Sequence, residues 1–365
     1  MQNTLITIAA FLLVITPLVF IHEFGHYIVA KMSGVKIDTF SIGFGKEIFG
    51  WNDKSGTRWK VCILPFGGYV QMYGDATEAG GTDEIVHALS DEEKELTFHY
   101  KPLYKKAAIV MAGPLMNIIL AIAIFAFIFT HYGYPNTIAA VGEVAEDSVA
   151  EKAGLQKGDV FISIDGKNIK LFTDIQRIVA LNPNVPMEFK IMRGDEELTL
   201  VITPAPFEMT SVIGEKAIIG RLGVSSGTGN YEPLPFGKAF IAANKYVYNQ
   251  AGTTLTVIGD IFTGDKSVKV LGGPIKIAMY SGASAKGGVG SFFDFMAKLS
   301  FALGFFNLFP IPALDGGHLM YYLFEAVRGK PLADKYQEYG MRVGFAILIG
   351  LIVFITFNDI VQLFS

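Results

Sequence analysis

Four long apolar stretches set the terms for anything this 365-residue chain can fold into. They cover about residues 5–30, 107–130, 292–309 and 343–363. The hydrocarbon core of a bilayer takes roughly 20 residues of helix, and each stretch is close to that length. With 51% hydrophobic and only 18% charged residues, the composition fits a polytopic α-helical membrane protein with four transmembrane helices better than a soluble globule. The third stretch is the least apolar, because Asp294 and Lys298 lie near its start. The first reads as retained and not as a cleaved leader. No basic residue precedes it, no small-residue cleavage site follows, and it holds His22, Glu23 and His26.

Lysine and arginine placement orients the spans. Basic residues cluster between the first two stretches, from Lys31 to Lys106, and between the last two, at Arg328, Lys330, Lys335 and Arg342. Both connections are therefore expected in the cytoplasm, with both termini and the long region after the second stretch outside. The net charge of −4 is weak and the basic residues are scattered, which argues against a nucleic-acid partner. The single cysteine, Cys62, excludes an internal disulfide and a cysteine zinc cluster.

On this reading residues 1–32 form the first helix, and 33–103 a cytoplasmic loop with membrane-associated strands. Residues 104–130 form the second helix, 131–205 an inserted β-rich domain and 206–290 a linker. Residues 291–318 form the third helix, 319–342 a cytoplasmic connection and 343–365 the fourth helix. In the first loop, residues 39–45 and 59–65 look like strands, the second entering a turn at Phe66-Gly67-Gly68-Tyr69-Val70. Residues 75–95 read as a solvated loop. The external module, about 137–204, is expected to have strands at 140–144, 160–164, 187–193 and 198–203 and a helix near 172–180. Its Gly154–Gly166 stretch resembles the turn and strand pattern of PDZ domains, modules that bind peptides at a sheet edge. An unrelated small β-rich domain is the alternative. Residues 236–257 suit an amphipathic helix on the membrane surface, with Lys238 and Lys245 towards the headgroups, or a plain soluble helix.

The chemistry gathers in two places. His22-Glu23-Phe24-Gly25-His26 ends the first apolar stretch. Residues four apart share a helix face, so both imidazoles can bind one zinc ion, with Glu23 next to them to take a proton from water. Polar groups in a membrane helix are costly and mark function. Catalytic zinc takes a third protein ligand. Asp315 is the best candidate, in Asn307-Leu308-Phe309-Pro310-Ile311-Pro312-Ala313-Leu314-Asp315-Gly316-Gly317-His318. There two prolines interrupt an apolar segment, as irregular backbone lining a buried cavity would require. An interfacial turn capped by Asp315, or ligation by His318, is the competing reading.

Together these motifs resemble those of the site-2 protease family, and within it the bacterial regulator of sigma-E protease branch. Residues 64–70, Ala112-Gly113-Pro114-Leu115-Met116-Asn117, the PDZ-like module and Leu271-Gly272-Gly273-Pro274-Ile275 extend the resemblance. It implies a zinc-dependent intramembrane endopeptidase of the bacterial inner membrane, with one zinc ion on His22, His26 and Asp315 and Glu23 as base. The module would be periplasmic and the active site near the cytoplasmic side. Asn117, Asn307, Gly67, Gly68 and Tyr69 would meet the substrate. Substrates would be single-span membrane proteins, such as anti-sigma factors, and remnant signal peptides. The branch often carries two PDZ domains, and one is found here. Two other classes are a catalytically silent scaffold presenting the module, and a metal transporter. The transporter fits poorly, because the second apolar stretch holds no acid or histidine and the fourth holds Asp359 alone.

Overall fold

The computed structural model describes residues 2–74, 89–135, 139–169, 171–210, 216–226, 231–264, 268 and 272–364. Most of the expected solvated loop, together with Thr137 and Leu271, lies outside them. The chain divides into two compact units, Met1–Phe125 with Phe240–Ser365, and Ala126–Ala239.

The first unit opens with α1 (Gln2–Met32), followed by β1 (Ile37–Asn52), β2 (Arg58–Met72), a single turn α2 (Asp91–Lys94) and α3 (Leu103–His131). The turn between β1 and β2 is tied to the end of α1 through Asp53. Its carboxylate accepts from Ser55, Thr57, Tyr27 and Trp59 at 2.7–3.2 Å. Phe40 is fully buried against Tyr27 and stacks on Trp59, so the sheet shares a core with α1. Towards the other end Phe44, Ile48, Phe49, Ile63 and Leu64 are exposed.

The expected turn at Phe66–Val70 is instead strand. Thr39–Ile42 is paired on both sides, with Gly68–Gln71 and with Arg58–Val61. This long-range pairing overrides the local turn signal of Pro65-Phe66-Gly67-Gly68. Gly67 makes the bend at φ 113°, and a Cβ there would run into the Phe44 ring.

The second unit takes up the chain after α3. Its elements are β3 (Tyr134–Pro135), β4 (Val141–Val144), α4 (Val149–Lys152), β5 (Val160–Ile164), β6 (Lys167–Asn168), α5 (Phe172–Ala180), β7 (Met187–Arg193) and β8 (Glu196–Ile202). Then come β9 (Ala205–Thr210), β10 (Lys216–Arg221), β11 (Val224–Ser226) and β12 (Tyr231–Glu232). A sheet of order β6-β5-β7-β8 packs with α5 around Phe161, Phe189, Ile191 and Ile175. Leu222 joins this core, and β11 pairs with β4. The unit therefore extends past residue 205, a boundary that local pattern does not reveal. Asp159 is buried and takes two hydrogen bonds from Arg193, each at 2.7–2.8 Å.

Beyond it come α6 (Phe236–Thr263), α7 (Pro274–Lys286), α8 (Val289–Asn307), α9 (Asp315–Arg328) and α10 (Asp334–Phe364). Among the described residues four helices are long and apolar enough to cross a membrane: Thr4–Met32, Leu103–His131, Val289–Asn307 and Lys335–Gln362. Asp315 was expected inside the third helix, but α8 stops at Asn307 and Asp315 opens α9. Pro310 and Pro312 supply no backbone N–H to continue α8, so the chain breaks there. Asp359 on α10 accepts from the Gly273 and Lys276 backbone N–H groups at 3.1 and 3.2 Å, which caps the start of α7.

Candidate metal centre

Glycines let the helices around the first histidine motif come together. A Cβ on Gly25 would meet the Ala112 carbonyl, and one on Gly113 would occupy the space of the His26 imidazole. One on Gly304 would press on Pro114, Ile118 and Asn117. Small residues of this kind allow α1, α3 and α8 to pack backbone against backbone, which holds helices together where lipid removes the hydrophobic drive.

The loop that delivers Asp315 is held as closely. Cβ atoms on Gly316 and Gly317 would collide with the carbonyls of Leu308, Phe309 and Ile311. On the far side Pro312 lies where a Cβ on Gly344 of α10 would be. Between them Ala313 sits at φ 101°, a conformation that L-residues other than Asn and Asp rarely adopt. Such strain persists only when the surroundings over-determine it.

These elements bring three donors to one point. His22 Nε2 lies 3.3 Å from His26 Nε2 and 3.2 Å from Asp315 Oδ2. His26 Nε2 lies 3.6 Å from Asp315 Oδ1. Among the described residues His22, His26 and Asp315 offer ligand atoms all within 4.8 Å of one another. Tetrahedral donors about 2.0–2.1 Å from a common zinc ion stand about 3.3 Å apart. The nitrogen and oxygen donors and their spacing thus fit zinc. His26 Nδ1 lies 2.9 Å from the Ile109 carbonyl. Donation there leaves Nε2 for the ion.

Glu23 interacts electrostatically with His26, His22 and Asp315. A Cβ on Gly68 would lie 3.0 Å from Glu23 Cγ and 3.2 Å from Val19 Cγ1, so the β2 backbone passes directly against the glutamate. Among the described residues, Gly68–Gln71 pairs on one side only.

The remaining expected site residues are distributed unevenly. Asn117 is fully buried, with its Nδ2 3.3 Å from His22 Nδ1. Asn307 donates from Nδ2 to the Leu303 carbonyl at 3.0 Å. Gly67 and Tyr69 both lie against Phe44, and Lys60 stands over the Tyr69 ring. The close approach of Gly68 to Glu23 went unanticipated, since nothing in a Gly-Gly pair signals which helix it will touch.

The family model for peptidase family M50 matches residues 10–351. The chain belongs to family M50, the site-2 proteases. It is 42% identical to a Rhizobium meliloti protein whose name makes it a candidate zinc metalloprotease, over all of this chain and 99% of that one. A relative from Agrobacterium fabrum with a similar name is 40% identical over 98% of this chain and 96% of its own. The metalloprotease MmpA of Caulobacter vibrioides is 36% identical over 99% and 96%. Solved PDZ domains of SdrC-like proteins from Listeria monocytogenes and Listeria innocua each cover 26% of this chain, and 88% and 98% of their own. They have TM-scores of 0.20 and 0.21 and identities of 18% and 21%. This M50 member is a zinc metalloprotease, and its four apolar helices fit a lipid bilayer.

Proposed function

We propose that this M50 protease cuts peptide bonds within or near the transmembrane segments of single-span membrane proteins. His22, His26 and Asp315 hold the zinc ion and Glu23 is the base. The observation that carries the reading is the meeting of the ligand atoms of His22, His26 and Asp315 within 4.8 Å of one another, with Glu23 next to His22 on α1. Zinc, when bound, lowers the pKa of a water to about 7 and polarises the scissile carbonyl.

The chain's own residues do the rest. Glu23 takes the proton as the water oxygen bonds to the carbonyl carbon, then passes it to the leaving amine as the C–N bond breaks. The Asn307 amide oxygen meets a substrate N–H, while its Nδ2 stays on Leu303. A helical substrate hides its carbonyls, so the segment must unwind before it is cut. Among the described residues Gly68–Gln71 pairs on one side only and Gly68 lies against Glu23, which supports strand addition as the way the extended piece is held.

The exposed Phe44, Ile48, Phe49, Ile63 and Leu64 support a hairpin seated in the membrane. The β-rich module, with the PDZ-like Gly154–Gly166 stretch, screens substrates by the size of their external part. Membrane-anchored anti-sigma factors already trimmed outside, and remnant signal peptides, are the substrate types this suits. The site lies towards the cytoplasmic side of a bacterial inner membrane, with both termini and the module in the periplasm.

The test is cleavage of a model single-span substrate in liposomes by wild type, Glu23→Gln and chelator-treated enzyme. Only untreated wild type should cut, while the Gln variant keeps about one zinc per chain. Equal cutting by Glu23→Gln refutes the assignment of the base.

A further inference from the structure

Asn117 has the wrong surroundings for a residue that meets substrate. It is fully buried on α3. Its backbone carbonyl accepts from the Ser300 hydroxyl of α8 at 2.7 Å, and the absent side chain of Gly304 leaves room for its Cβ. Both contacts fix the residue from the side of α8, with its amide 3.3 Å from His22 Nδ1.

With Nδ2 turned towards that nitrogen, the arrangement is poor for a metal ligand. An imidazole that accepts at Nδ1 carries its hydrogen on Nε2, the atom that faces His26 and Asp315. The same orientation leaves the buried Asn117 Oδ1 with no hydrogen-bond partner, an expensive condition for an amide oxygen out of water. Turning the amide by half a turn removes the first fault and places the amide NH2, a donor, at the buried position where Oδ1 has no partner. Oδ1 then accepts from Nδ1–H, and the Nε2 lone pair points at the other two donors. The two ends of an amide are distinguished by such networks and not by shape.

We propose that Asn117 is the positioning residue of the metal centre. Its amide oxygen accepts from His22 Nδ1–H and holds the tautomer in which Nε2 binds zinc. It is the counterpart on His22 of the Ile109 carbonyl on His26. Outer partners of this kind are worth 10–100-fold in metal affinity. The inference rests on His22 being a ligand, as proposed above.

The test measures zinc affinity of the full chain in detergent by competition with a chromophoric chelator, alongside the visible spectrum of the cobalt-substituted protein. Variants are Asn117→Leu, Asn117→Ala, Asn117→Asp and His22→Ala, each checked for native helix content. Leu matches the volume without an acceptor, Ala removes the amide without added bulk, and Asp restores an acceptor oxygen. The expected result is a loss of affinity of about 10–100-fold for Leu and Ala. Both should show an altered cobalt spectrum, while Asp stays close to wild type. If His22→Ala loses zinc but Leu and Ala bind as wild type, Asn117 has no such role and the ligand assignment stands. Equal losses for Asp, Leu and Ala make the effect one of packing and also overturn the proposal. If His22→Ala retains wild-type affinity, His22 is not a ligand and both readings fall.

Discussion

Gly68 and Glu23 approach so closely that a β-carbon on the glycine would lie 3.0 Å from the glutamate Cγ, and 2.7 Å from the Ser41 carbonyl. The strand backbone and the glutamate therefore occupy adjoining space. Gly68→Val should displace Glu23 or push the strand away. It should lower kcat at least tenfold while zinc content stays near one per chain, because His22, His26 and Asp315 are not touched. Loss of zinc together with activity would show that the strand supports the proposed metal ligands and not only the proposed base.

The same kind of contact ties α10 to the loop that ends at Asp315. A Cβ on Gly344 would fall on the Pro312 carbonyl, whereas one on Gly350, on the same helix, meets nothing within 4 Å. Gly344→Val should shift the loop that ends at Asp315 and reduce bound zinc. Gly350→Val should leave both zinc and activity as they are. Equal behaviour of the two variants in a metal assay would refute the link.

Ala313 sets a third test. At φ 101° an alanine carries strain of about 1–2 kcal/mol. Glycine would relieve that and give back about 0.5–1 kcal/mol through a freer unfolded chain, so Ala313→Gly should leave stability unchanged or slightly raised. A β-branched residue fits that region much worse. Ala313→Val should cost about 2–3 kcal/mol and lower the unfolding temperature in detergent.

The β-rich unit has its own pH dependence. Burial alone would raise the Asp159 carboxyl, but the bonds from Arg193 and the Gln156 N–H outweigh it and hold it below the ordinary carboxylate range. Such a depressed group stabilises the fold above its unfolded value of about 3.9, and that contribution is lost as pH falls through the lower folded value. Hydrogen-exchange protection at Phe161 and Phe189 should therefore be flat from pH 7 to 5 and fall in stronger acid. Arg193→Met leaves the buried carboxylate without its cation and should lower the stability of the unit. Burial then dominates, so in the variant protection should instead decline as pH rises above about 4. A variant that follows the wild-type profile would show that the pair contributes little.

What could be read in the sequence was what local spacing encodes. His22 and His26 share a helix face whatever surrounds them, and four apolar stretches announce themselves by length. The ranges of α5 and β7 matched expectation residue for residue, because amphipathic alternation there is complete within the segment. Asp315 could be named and Pro310 and Pro312 marked an interruption, but neither shows that a new helix opens at Asp315. The bend at Gly67 carries every local mark of a turn, and only the pairing of Thr39–Ile42 on both sides keeps it in the sheet. Leu222 and β11 join the β-rich core across more than 70 residues of chain, and the Asn117–His22 contact spans 95. No window of sequence contains either.

Gly25, Gly113, Gly304, Gly316, Gly317 and Gly344 shape the candidate metal centre by what they lack. Its outline is drawn by absent atoms, and no chemical probe of side chains would register them. A saturation screen for loss of proteolysis should therefore place these silent positions beside the ligands in severity. A search for inactivating variants confined to histidines and acids would overlook these positions.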